Sequence, residues 1–187
     1  MPFERLVPQK TALLLVDLQE KLVPAMPTAR IDGVIRSTKL LLEAAVTLGV
    51  PVIVTEQYPR GLGSTCAVID ETLQHVRHTR ISKMAFDACA EPTFADALMA
   101  AEVDSVVIVG VETHICVLQT TRSLAERGYA AHVVADAVAS RREEHRAIGL
   151  DLVRSAGGFV TTAETVVFDW LGRAGTEAFK ALAPLLR

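Results

Sequence analysis

The sequence predicts an α/β fold: a three-layer α/β/α sandwich built on a six-stranded, doubly wound parallel sheet of Rossmann-like type. Three observations lead there. Thr11–Val16, rich in leucine, and the β-branched run that follows Ser105 read as strands buried on both faces, which is the condition of a parallel sheet. Helical periodicities fall between the strands, so strand and helix alternate along the chain and right-handed crossovers follow. The 187 residues, 50% of them hydrophobic, suit one well-filled domain over 1–187, with no repeat, low-complexity tract or linker.

The elements follow in order. Thr11–Val16 is the first strand and ends on Asp17. Residues 31–48 carry apolar side chains at helical spacing, and Gly49 closes that helix. The second strand, 50–55, opens into a Gly- and Pro-rich excursion, Glu56 to Ser64, where Gln57 and Tyr58 are candidate pocket-lining groups. A weakly patterned stretch leads to a short strand at 76–81 and to Ser82-Lys83-Met84-Ala85-Phe86. Pro92–Ala101 is a helix with proline in its first turn. The strand beginning at Ser105 stops at Gly110, and a helix runs from about Cys116 to Arg127, ended by Gly128. A strand over 130–135 ends on Asp136, a helix covers 143–156, and Phe159–Thr161 is the last strand. Helical pieces at 164–171 and 176–186 finish the chain. The apolar residues Phe179, Leu182, Leu185 and Leu186 suit either an interface between copies or a cover for the sheet.

Composition excludes several classes. The net charge is −3 with both signs interspersed, and only 5% of residues are aromatic, so neither a basic stripe nor a base-stacking ladder is present. No apolar run reaches membrane-spanning length, and the N-terminus lacks the shape of a signal peptide. Cys66, Cys89 and Cys116 are odd in number, with no CxxC and no paired Cys/His spacing, which argues against disulfides and zinc. The expectation is a cytoplasmic protein acting on a small molecule, with no nucleic-acid or membrane partner, no metal and no cofactor.

The first strand-to-helix turn, Asp17-Leu18-Gln19-Glu20, has no glycine with which to approach a pyrophosphate, so a nicotinamide-linked dehydrogenase is disfavoured. No GxxxxGK[ST] or GxSxG occurs either. What remains is an acid, a lysine and a cysteine, each at the carboxyl end of a separate strand: Asp17, Lys83 and Cys116. Cys116 falls at a helix start, where unpaired backbone N–H groups and the helix dipole favour thiolate. A thiol beside a cation and a carboxylate base meets the needs of nucleophilic catalysis. The alternative for Cys116 alone is a small buried residue closing a helix onto the sheet.

These residues resemble the isochorismatase-like cysteine hydrolase family, which includes nicotinamidases and N-carbamoylsarcosine amidohydrolases. The resemblance runs nearly end to end and rests on Leu15-Val16-Asp17-Leu18-Gln19, on Ser82-Lys83-Met84-Ala85-Phe86 and on Gly110-Val-Glu-Thr-His-Ile-Cys116-Val. With Thr55-Glu-Gln-Tyr-Pro-Arg-Gly-Leu-Gly63, it is most similar to the isochorismatase domain-containing subgroup. The resemblance implies the isochorismatase-like hydrolase fold, a homo-oligomer (dimer or tetramer) and an Asp17-Lys83-Cys116 triad that cleaves an amide or ureide C–N bond through a thioester. It also implies a cis peptide at Val111–Glu112, which helps to turn backbone N–H groups of Glu112 and Cys116 into an oxyanion hole. Candidate pocket residues are Gln19, Gln57, Tyr58, Phe86 and His114.

Departures from the family narrow this reading. Nicotinamidases hold a metal through Asp-x-His after the second strand, whereas this chain has Glu56-Gln57-Tyr58, so no metal is expected. True isochorismatases lack the nucleophilic cysteine, so Cys116 points to C–N hydrolysis. The rival readings are a thiol-sensing protein and a non-catalytic scaffold that keeps the hydrolase fold.

Overall fold

A computed structural model describes residues 5–186 of the chain. Six strands, β1 (Thr11–Val16), β2 (Val52–Gln57), β3 (His78–Lys83), β4 (Ser105–Val111), β5 (Ala130–Ala139) and β6 (Phe159–Thr161), form one sheet in the order β3-β2-β1-β4-β5-β6. Every pairing is parallel. The chain reverses its direction of travel across the sheet between β1 and β4, which makes that boundary the switch point where such folds bind ligands.

Strand alternation sorts the core into two layers. Leu13 and Leu15 of β1 face one cluster, together with residues of α1 (Thr28–Leu48), α3 (Ala67–Leu73), α7 (Ala163–Leu171) and α8 (Glu177–Leu182). Ala12, Leu14 and Val16 face the other, together with α4 (Pro92–Ala101), α5 (Leu118–Glu126) and α6 (Glu143–Ser155). All six residues of β1 are buried, as a central strand covered on both faces must be. Gly49 ends α1 at φ 71°, a left-handed cap that a residue with a Cβ adopts only with strain.

Several boundaries differ from the sequence expectations. The excursion after β2 contains a single helical turn, α2 (Pro59–Leu62), and the weakly patterned stretch contains α3. β3 starts two residues later than expected and ends on Lys83 itself. β5 does not stop at Asp136. Its pairing with β4 shifts between Ile108 and Gly110, the added β5 residues bulge, and Asp136 lies inside that bulge. There the Asp136 carboxylate accepts from the Ser37 hydroxyl at 2.8 Å and the Ala163 N–H at 2.9 Å, while the Arg146 guanidinium donates to the Ala135 and Val138 carbonyls. The last element is shorter than expected: α8 gives way to a 3₁₀ turn at Ala183–Leu186. Leu182 is buried in the first core cluster, and Phe179 and Leu186 pack against it, so this end of the chain covers the core.

Candidate functional site

The carboxyl edge of the sheet gathers Asp17, Lys83 and Cys116. Asp17 follows β1 in the left-handed region at φ 53°, which an aspartate tolerates better than most side chains. Its N–H donates to the Thr55 carbonyl at 3.1 Å and its own carbonyl accepts from the Gln19 N–H at 2.8 Å, so the backbone is pinned on both sides. Across the switch point, Gly110 of β4 lies at φ 116° against β1, and a Cβ there would fall on the Val16 carbonyl. Glycine is required at that approach. The Val111–Glu112 peptide is cis, and one π-helical turn, Thr113–Val117, carries Cys116 into α5.

Lys83 ends β3 and is 1% exposed, yet its ammonium is fully engaged. Nζ lies 2.8 Å from Asp17 Oδ2, 2.6 Å from Gln57 Oε1 and 3.3 Å from each of the Ala85 and Phe86 carbonyls. The Thr55 hydroxyl donates to Asp17 Oδ1 at 2.8 Å. Removing two charges from water is costly unless each finds its partner and further hydrogen bonds, and both do here.

Cys116 is buried beside this pair, and its thiol differs from the sequence expectation. Burial first, and the Asp17 charge second, push its pKa up to about 12, and only the Lys83 ammonium opposes them. The resting thiol is therefore protonated. Burial outweighs the helix start because a thiolate in an apolar surround loses far more hydration than a dipole returns.

The five candidate pocket residues separate into two sets. Gln19 is wholly buried, with Nε2 donating to the carbonyls of Gln57 at 3.0 Å and Gly63 at 2.6 Å and Oε1 accepting from the Gln57 N–H at 2.7 Å. Gln57 holds Lys83 with Oε1 and donates from Nε2 to the Met84 carbonyl at 2.8 Å. Both amides are committed to partners within the protein. Tyr58 and Phe86 are about half exposed on the loops flanking Lys83, and the Tyr58 N–H donates to the Lys83 carbonyl at 2.8 Å. His114 shares a hydrogen bond of 2.9 Å with the Ser140 hydroxyl through Nδ1, and burial lowers its pKa. With Arg141, Arg142 and His145 it lines a cavity of about 460 Å³. A larger cavity, of about 710 Å³, lies at the opposite end of the sheet, among His75, Arg77, Thr79 and Pro51.

The sequence reading also missed supporting groups. Glu112 keeps its carboxylate on the Arg141 N–H (2.9 Å) and Nε (3.0 Å), tying the start of the Thr113–Val117 turn to the end of β5. Glu56 accepts from the Thr65 N–H and hydroxyl, each at 2.8 Å, and from Arg80 at 2.9 Å. It braces the excursion between β2 and α3. Thr55, one residue before the flagged segment, had a legible signal: a hydroxyl at the end of a strand adjacent to Asp17.

Residues 11–165 match the Isochorismatase domain. The chain belongs to the isochorismatase family. Among its relatives, Isochorismatase family protein 1B of Dictyostelium discoideum is 33% identical over 98% of this chain and 89% of its own. The secreted isochorismatase effector Isc1 of Phytophthora sojae is 36% identical, over 98% and 87%. Among solved structures, one described as the MAR1 ribonuclease of Caenorhabditis elegans superposes with a TM-score of 0.90 at 37% identity, covering 98% of this chain and 92% of that one.

Proposed function

We propose that the protein is a cysteine hydrolase that cleaves the C–N bond of a small amide or ureide through a thioester. The observation that carries this reading is the buried Asp17–Lys83 ion pair with the buried Cys116 beside it. Because the thiol rests in its neutral form, its proton passes to Asp17 as Sγ attacks the substrate carbonyl carbon. The negative charge that develops on the carbonyl oxygen is met by the backbone N–H groups of Glu112 and Cys116. The C–N bond then breaks, the proton moves from Asp17 to the departing nitrogen, and the acyl group stays on Sγ. A water attacks the thioester carbonyl, again giving its proton to Asp17, and the acid leaves as Sγ recovers a proton. Lys83 stabilises the charge that develops on Sγ as its proton leaves, and the scheme calls on no metal or cofactor.

The ribonuclease activity named for the nematode structure belongs to that protein. With a net charge of −3 and an interior thiol, the present chain suits attack on a small acyl carbon better than docking of a phosphodiester chain. Three free, buried thiols are compatible with a reducing cytoplasm.

The test is release of ammonia or amine from a panel of small amides and ureides by wild type and by Cys116→Ala. Turnover that vanishes in the variant supports the reading; no turnover by wild type with any member, or equal turnover by both, overturns it.

A further inference from the structure

Gln19 and Gln57 take part in no step above, yet Gln57 makes the shortest polar contact to Lys83 Nζ, at 2.6 Å, and Gln19 holds the Gln57 backbone in turn. Gln57 ends β2 and is the register partner of Lys83 on β3. Its side-chain amide is fixed at both ends, with Oε1 accepting from Lys83 Nζ at 2.6 Å and Nε2 donating to the Met84 carbonyl at 2.8 Å. Its backbone is fixed as well, because Gln19 accepts from its N–H at 2.7 Å and donates to its carbonyl at 3.0 Å. Gln19 gives its other amide proton to the Gly63 carbonyl at 2.6 Å. Both side-chain amides are engaged through their oxygen and their nitrogen, and the two residues are 0% and 8% exposed.

A lysine side chain has four rotatable bonds, and one salt bridge does not fix its tip. A carboxylate in the place of Gln57 would hold Nζ but would compete with Asp17 for the ammonium and add negative charge beside Cys116. A neutral amide oxygen, like the Ala85 and Phe86 carbonyls, holds the tip without cancelling its charge. We propose that Gln57, clamped by Gln19, is a positioning residue that holds the Lys83 ammonium against Asp17 and Cys116 with its charge undiminished. The inference rests on the triad reading above, and it names no substrate.

The experiment is alkylation of the folded protein by iodoacetamide at pH 8, with Cys116 followed by peptide mass mapping. Lys83 is the charge that favours the thiolate, so a wandering ammonium leaves less of it. Gln57→Met, which keeps the length of the side chain, is expected to slow Cys116 alkylation about tenfold, the equivalent of one pKa unit. Combining it with Lys83→Met should slow the reaction no further than Lys83→Met alone. A merely structural loosening would expose the thiol and speed the reaction. An unchanged or faster rate in folded Gln57→Met, or additive slowing in the double variant, overturns the proposal. Circular dichroism reports folding, and Gln19→Met, expected to act in the same direction with smaller effect, gives the same reading if Gln57→Met does not fold. No substrate is involved, so a failed search for amide turnover would remove the hydrolase reading without touching this result.

Discussion

Lys83 Nζ and Asp17 Oδ2 lie 2.8 Å apart, and neither side chain is exposed to solvent. Breaking such a pair from one side leaves a lone charge in the interior, which costs about 3–5 kcal/mol. Lys83→Met and Asp17→Asn should therefore each lower unfolding free energy by about that amount in urea titrations. The double variant is expected to recover part of the loss, because no uncompensated charge remains. Additive losses would show that the two charges do not compensate each other.

Gly110 is the point of closest backbone approach across the switch point. Gly110→Ala puts a Cβ onto the Val16 carbonyl at a φ of 116° and is expected to destabilise the fold by about 2 kcal/mol or more. Gly33, on α1 with nothing within 4 Å of its Cβ position, is the control. Gly33→Ala should be neutral or slightly stabilising in the same denaturant titration.

Buried thiols set the alkaline limit. Cys89 and Cys116 are both pushed up from 9.0 to about 12, and Cys66 is raised as well, each chiefly by burial. Below pH 9 folded and unfolded chains alike keep these protons, and the full stability is present. Between pH 9 and 12 the unfolded chain loses them first, so stability falls as pH rises, by about 1.4 kcal/mol per unit for each of Cys89 and Cys116, with Cys66 adding in the same direction. The unfolding midpoint followed from pH 8 to 11 should show this decline, and Cys116→Ala should make it shallower.

His132 sets an acid limit of the opposite sign. Burial lowers its pKa from 6.5 to about 4. Its contribution is complete above pH 6.5 and is lost as pH falls toward 4, because the unfolded chain takes up the proton first. His132→Leu should flatten the dependence of the urea midpoint between pH 6.5 and 4.

Much of this architecture was legible because it depends on local pattern. The unbroken apolar runs of β1 and β4 reveal a sheet covered on both faces, and in a parallel sheet all carboxyl ends share one edge. That brings Asp17, Lys83 and Cys116 to one neighbourhood before any coordinates are known. The roles of Gln19 and Gln57 were hidden because they depend on the register of β2 against β3, which no local pattern encodes. Asp136 looked like a strand end because polar residues often close strands, whereas a bulge braced by Arg146 carries β5 past it. The seven residues of α3 are too few for a clear period. The protonated state of Cys116 follows from burial, and neighbours in sequence do not report burial.

The most direct test of the account is intact-protein mass spectrometry of wild type and Cys116→Ala after exposure to small amides, ureides and their aldehyde analogues. The account predicts a covalent adduct on wild type, absent from the variant, whose mass gives the acyl group. Adducts that persist in Cys116→Ala, or their complete absence from wild type while peroxide still oxidises Cys116, would contradict acyl transfer at this thiol.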